Sequence, residues 1–221
     1  MPRVISLDWL SPDIFEIHLE KEGLVYEAGD CTLLIGPDGI DSRPYSFSSH
    51  PLENRISFLI RRIPKGGLTP WLGFLNPGDR VETSSPFGLF APGREGPAVF
   101  IATGTGIAPF LSYLKDVGAP EPRALFYGVR RRENGVYHTW LTERLARKSC
   151  NFLGPPDPIY HFVVSGEGEG RVTDLIDQIP LERGLNYYLC GHETMCQEMS
   201  SLLLARGVDE KFIHSEIFVQ A

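Results

Sequence analysis

The chain has 221 residues, enough for one large domain or two small ones, and its 42% hydrophobic and 22% charged residues match a soluble globular protein. A net charge of −7 argues against a nucleic-acid footprint, no run of about 18 apolar residues is available to span a membrane, and MPRVISLDWL has no signal-peptide core, so the expected location is cytoplasmic. Cys31, Cys150, Cys190 and Cys196 are scattered and form no Cys-x-x-Cys pair, which tells against a disulfide framework, a metal site or an iron–sulfur cluster in this chain.

The first ninety residues read as antiparallel sheet. Apolar and polar residues alternate in Phe15-Glu16-Ile17-His18-Leu19-Glu20, predicting a half-buried strand, and Ile56, Phe58 and Ile60 alternate in the same way. Cys31–Ile35 is a short apolar run ended by the turn cluster Gly36-Pro37-Asp38-Gly39, and Asn76-Pro77-Gly78-Asp79 is a second turn before a strand at Arg80–Thr83. Short strands separated by turns predict a small antiparallel β-barrel. The Pro/Gly-rich stretch Ala91–Pro97 reads as a domain boundary, dividing the chain into residues 1–94 and 95–221. Beyond it the apolar runs Ala98–Ala102, Ala124–Tyr127, His161–Val164 and Tyr187–Cys190 are continuous and helical patterns lie between several of them, predicting an α/β domain with a parallel sheet.

Two segments of the first half carry anion-binding chemistry. In Gly66-Gly67-Leu68-Thr69-Pro70-Trp71-Leu72, Thr69 reads as a helix N-cap with Pro70 at the first helical position, and the glycines leave backbone N–H groups bare beside it. In Arg43-Pro44-Tyr45-Ser46 a guanidinium can meet a phosphate, the Tyr45 ring offers a face to a flat heterocycle, and Ser46 can reach a ring heteroatom. In the second half, Ala98–Ala102 leads into Thr103-Gly104-Thr105-Gly106-Ile107-Ala108-Pro109. A strand, a glycine turn and a helix start suit a dinucleotide's phosphates, but Pro109 stands where the ordinary dehydrogenase fingerprint has its third glycine. Thr194 and Gln197 have capping-box spacing, so a helix is expected from just past Gly191 to Arg206, closed by Gly207, with Met195, Met199, Leu202 and Leu203 facing a core.

These motifs, in this order, resemble the ferredoxin–NADP reductase superfamily of flavoprotein reductases: an Arg-x-Tyr-Ser strand, a Gly-x-x-Thr helix start, Gly-x-Gly-x-x-Pro, Cys-Gly and a final Glu-x-Phe. Pro86-Phe87-Gly88 is similar to its Gly-Pro-x-Gly turn, with Ser85 replacing the first glycine. The resemblance implies an FAD-binding barrel followed by an NAD(P)-binding domain. Arg43 and Thr69 would then hold flavin phosphate, with Pro44, Gly66, Gly67 and Leu68 completing the site. Tyr45 would pack on the ring, Ser46 would lie near its N5, and Leu59, Ile60 and Arg61 would line it with backbone groups. Thr103, Gly104, Thr105, Gly106, Gly191 and Phe218 would bind the nicotinamide cofactor, and Ser46, Cys190 and Glu216 would set the hydride-transfer geometry. Only Val219-Gln220-Ala221 follow Phe218, and no terminal aromatic like that of plant-type relatives is present.

The family's NADPH enzymes surround a 2′-phosphate with cations. Arg130, Ser165 and Arg171 match that pattern, but Gly166 stands where an arginine is expected, with Glu167 and Glu169 beside it. The balance tips slightly toward NADH. The implied acceptor is a small redox protein such as ferredoxin or flavodoxin, met by Arg61, Arg62 and Lys65. An NAD(P)H:flavin reductase and an electron-transfer subunit of a larger complex are the alternatives.

Overall fold

The structure, a computed structural model, describes residues 1–88, 90–92, 96–146 and 158–218. It divides into two compact units: Met1–Ala91 with Ala108–Asp116, and Pro92–Ile107 with Val117–Gln220. The expected boundary at Arg94 and Glu95, Cys150 and the tail after Phe218 lie outside the described residues.

In the first unit the strands are β1 (Val4–Trp9), β2 (Ile14–Glu20), β3 (Cys31–Ile35), β4 (Ser42–Ser46), β5 (Arg55–Arg61) and β6 (Glu82–Thr83), with a short helix α1 (Leu68–Leu72). They form two antiparallel three-stranded sheets, ordered β1-β2-β5 and β4-β3-β6, which meet at an isolated bridge between Phe47 and Phe58. Phe15, Ile17 and Leu19 of β2 pack with Leu34, Phe47, Phe58 and Leu72 in one core, and each such side chain contributes about 1.5–3 kcal/mol of burial free energy. Pro44 is accommodated because β4 is an outer strand, where a missing N–H disrupts no inner ladder.

Two expectations are corrected here. β2 is not half-buried: Glu16 and His18 are only 3% and 4% exposed. Their polar atoms are satisfied internally, as burial demands. Ser48 Oγ donates to Glu16 Oε1 at 2.5 Å, and His18 Nδ1 lies 2.7 Å from Ser57 Oγ. The strand expected over Arg80–Thr83 shortens to Glu82–Thr83, because Arg80 forms only a single bridge with Arg3 and the Val81 N–H turns to Pro2 O.

The second unit holds β7 (Ala98–Thr103), β8 (Ala124–Val129), β9 (Ile159–Val164), β10 (Asn186–His192) and β11 (Ile213–Phe218), all parallel, in the order β11-β10-β7-β8-β9. After β7 a 3-10 turn, Gly104–Ile107, leads into α2 (Ala108–Leu114), which groups with the first unit. There Ser112 Oγ donates to Ser49 O at 2.6 Å. α3 (His138–Leu145) and α4 (Glu193–Ala205) belong to the second unit. Met195, Met199 and Leu203 of α4 are buried against Val99, Ile101, Tyr187 and Leu189. Thr194 does not cap α4; His192 does, its Nδ1 accepting the Thr194 N–H at 3.2 Å. Among the described residues no helix is long and apolar enough to cross a membrane.

Candidate functional site

The first half-site lies on β4 and the α1 turn. Residues 43 and 45 alternate with Pro44 and Ser46 along an outer strand. Arg43 is half-exposed; its Nη1 donates to Ser42 O at 2.7 Å and lies 3.1 Å from Asp41 Oδ1. Tyr45 is largely buried. Burial pushes its phenol well above the usual tyrosine range, while the Arg43 charge pulls it down and the Asp41 charge pushes it up. Both charges therefore bear on the Tyr45 side chain. Ser46 is buried at 3% exposure, paired in register with Cys31.

Thr69 is not the N-cap. That position is taken by Gly67, which puts Leu68 first in the helix and Pro70 third. The Thr69 hydroxyl instead accepts the Ile63 N–H at 2.9 Å, tying the loop after β5 to α1. Gly67 is constrained by its surroundings: a Cβ there would stand 2.6 Å from Asp41 Oδ2. The Asp41 carboxylate thus pairs with the Arg43 guanidinium and lies against Gly67, while the Gly66 N–H donates to Ile63 O at 2.9 Å. That guanidinium fits the phosphate of a flavin. Sequence reasoning passed over Asp41, though its spacing of two from Arg43 on an extended segment was the available signal. Leu59 and Ile60 are buried by their side chains, and β5 is the outer strand of its sheet, so past the Phe47–Phe58 bridge its outer edge has no strand neighbour among the described residues. Arg61 pairs with Asp13 at 3.1 Å, and Arg62 stacks over the Trp9 ring at 5.1 Å.

The second half-site is built by strand order. β7, β8 and β9 run outward in one direction, and the chain then returns to place β10 on the other side of β7. A ligand crevice is expected at such a reversal, outside the strands' carboxyl ends. The ends of β7 and β10 come very close there. A Cβ on Gly106 would meet Cys190 O at 2.3 Å, and one on Gly191, whose φ is +141°, would meet Thr103 Oγ1 at 2.2 Å. Thr103 Oγ1 also accepts the His192 N–H at 3.1 Å. Gly104 has a φ of +55° and open space at its Cβ position, so it serves the turn rather than the close approach.

Cys190 is fully buried and stands opposite Glu216 in the β10–β11 register, with Phe218 opposite His192. Burial, then the Glu216 charge, pushes the Cys190 thiol well above its ordinary value. It is a neutral thiol at physiological pH, suited to contact and not to nucleophilic attack.

The groups expected around a ribose 2′-position follow β8 and β9. The Gly166 N–H donates to Arg130 O at 2.9 Å, and a Cβ on Gly166 would lie 2.3 Å from that oxygen. The missing arginine has a steric reason: the backbone of Arg130 occupies its place. Ser165 Oγ donates to Val129 O at 3.3 Å. Arg171 pairs with Glu198 at 2.7 Å. Arg132 binds Glu167 Oε2 through Nε at 2.9 Å and Nη2 at 2.7 Å, and also pairs with Glu169. Glu169 Oε2 in turn accepts the Val164 N–H at 2.9 Å. The structure thus brings Arg130, Ser165, Gly166 and the Arg132–glutamate cluster together at the ends of β8 and β9.

Comparison with known proteins bears on both halves. A family profile, the oxidoreductase NAD-binding domain, matches residues 100–201. The chain is 32% identical over 206 residues to the toluate 1,2-dioxygenase electron transfer component of Pseudomonas putida, covering 88% of this chain and 59% of that protein. It therefore spans less than two thirds of that relative's length. It is 28% identical over 239 residues to ferredoxin–NADP reductase B of Sorangium cellulosum (strain So ce56), covering 97% of this chain and 95% of that protein. A solved ferredoxin NADP⁺ reductase from Neisseria gonorrhoeae with bound FAD and NADP superposes with a TM-score of 0.83 at 19% identity, covering 98% of this chain and 97% of that one. Antiparallel sheets before a parallel sheet, a reversal of strand order beside β7 and likeness along both halves agree: the chain has the fold of these flavoprotein reductases and is similar in sequence to ferredoxin–NADP reductases and to dioxygenase electron transfer components.

Proposed function

We propose that the chain is an NAD(P)H-dependent flavoprotein reductase, accepting a hydride from a reduced nicotinamide through FAD and passing electrons to a small redox protein such as ferredoxin or flavodoxin. The observation that carries this reading is the β7–β10 junction, where Gly106 and Gly191 let two strand ends meet at the reversal of strand order. In the proposed division, residues 1–94 bind FAD and residues 95–221 bind the nicotinamide. Three buried free thiols, Cys31, Cys190 and Cys196, are compatible with a reducing cytoplasm.

When bound, the flavin supplies the redox chemistry, exchanging two electrons with a nicotinamide and one at a time with an acceptor. The chain's own residues bind and orient. Arg43 neutralises phosphate charge, Tyr45 offers its ring face, and the Gly66–Thr69 turn limits the side chains near the phosphate. Thr103–Gly106 and Gly191 shape the floor for the nicotinamide nucleotide, with Cys190, Glu216 and Phe218 at its edge. Ser46, Cys190 and Glu216 are the proposed positioning groups for hydride transfer, a step that needs alignment and no general base. We further propose NADH as the preferred donor. Arg132 and Arg171 are already neutralised by carboxylates, and Glu167 and Glu169 repel a 2′-phosphate.

Anaerobic stopped-flow mixing of the flavin-loaded protein with NADH and NADPH in parallel tests this reading. Bleaching of the flavin absorbance is expected, faster with NADH. No bleaching with either would sink the enzyme reading. Relatives named as dioxygenase electron transfer components favour a second reading, in which the electrons pass to an oxygenase system.

A further inference from the structure

We propose that Asp41 is an internal competitor for the flavin phosphate, a carboxylate built into the phosphate half-site that weakens retention of phosphorylated flavins. The proposal rests on the flavin reading above. Asp41 Oδ1 lies 3.1 Å from Arg43 Nη1, and Asp41 Oδ2 fills the space a Gly67 side chain would need. The carboxylate therefore holds the guanidinium assigned to phosphate binding and occupies the space beside Gly67. A guanidinium binds carboxylate and phosphate by the same paired N–H geometry, so the two anions compete for it.

The loop does not need this carboxylate for its shape. Asp38 sets the turn instead, its Oδ1 accepting the N–H groups of Ile40 at 3.0 Å and Asp41 at 3.1 Å. The Asp41 carbonyl closes the hairpin by accepting the Gly36 N–H at 2.8 Å. What these bonds leave to the Asp41 side chain is the approach to Arg43 and Gly67. With Asp41 only 30% exposed and Arg43 51% exposed, the pair is wet enough to open yet sheltered enough to matter. An incoming phosphate must either displace the carboxylate or bind against its charge. Riboflavin, which lacks the phosphate, meets neither obstacle.

The test is titration of flavin-free protein with FAD, FMN and riboflavin, followed by flavin fluorescence, for the wild type, Asp41→Asn, Asp41→Ala and Arg43→Ala. Removing the carboxylate charge is expected to tighten FAD and FMN by roughly twofold to fivefold, the scale of a partly exposed ion pair, and to leave riboflavin unchanged. Arg43→Ala should weaken FAD and FMN, and Asp41→Asn should give a smaller gain in that background, because the contested guanidinium is gone. Asp41 variants that leave FAD and FMN unchanged, or that shift riboflavin in parallel, would overturn the proposal while the flavin reading stands. A wild type that binds none of the three would overturn the flavin reading and this proposal with it.

Discussion

At the scale of single residues, the glycines that matter are those whose missing side chains let backbone meet backbone. A methyl on Gly106 would stand 2.3 Å from a carbonyl oxygen of β10, and one on Gly191 would stand 2.2 Å from Thr103 Oγ1 and 2.8 Å from Thr103 O. No flexible side-chain end can give way at Gly106, so the strand ends themselves must separate. Gly106→Ala is expected to cost about 1–3 kcal/mol by overpacking, lowering the melting temperature by about 2–12 °C. Gly104→Ala meets no neighbour and should suffer only from its φ of +55°. Thermal melts of the two variants check this, and an equal loss at both positions would refute the assignment of Gly106 to close packing. The sequence marked Gly104 and Gly106 as one phosphate motif. It could not separate the turn former from the packing glycine, because the Gly106 neighbour, Cys190, lies far along the chain and meets it only through parallel pairing. Asp41 escaped notice for a related reason: it reads as one more polar loop residue until the hairpin folds back onto Gly67.

At the scale of elements, strands were more legible than caps. β3 spans the very residues its apolar run indicated, Cys31–Ile35. The buried runs of the parallel sheet each fall on a strand. Period-two alternation misled at β2, since a polar residue facing a buried polar layer looks the same in sequence as one facing water. Helix starts misled twice, as Thr69 and Thr194 have the right chemistry but stand two residues inside their N-caps. The connection after β9 carries a functional prediction. Glu167 and Glu169 hold Arg132, and the Gly166 backbone lies on Arg130. Replacing both glutamates, as Glu167→Gln with Glu169→Gln, frees a guanidinium and removes two negative charges. The kcat/KM for NADPH relative to NADH should rise about tenfold or more. Gly166→Arg should fail to achieve this, because its Cβ collides with Arg130 O, and should lower the melting temperature instead. Steady-state kinetics with both donors separates these outcomes, and an unchanged ratio in the double variant would remove the glutamates from nicotinamide selection.

For the whole molecule, motif order was the most legible property, because collinear motifs constrain a two-part architecture that no single motif does. The response of that architecture to acid was less legible, as it depends on where three histidines end up. His18 on β2, His138 on α3 and His161 on β9 all have their pKa lowered, in each case chiefly by burial. Arg55 and Lys115 lower His18 further, while Glu16 and Asp8 oppose the shift. Arg132 adds to the lowering at His138, and His161 stacks on Phe126 with ring centroids 4.9 Å apart. The sign follows from linkage. Below a pH of about 6.5 the unfolded chain takes up protons on these rings before the folded chain does. Their contribution to stability is therefore complete above that pH and is lost as the pH falls toward the lowered folded values. Melting temperature should hold between pH 8 and 7 and fall by several degrees by pH 5.5. His18→Gln should flatten that fall in the first unit by removing a ring whose burial disfavours its protonation. Melts of wild type and variant across this range, read by a probe in each unit, decide the matter. A variant as acid-sensitive as the wild type would show that the charge balance set by Glu16 and Asp8 cancels the burial of His18.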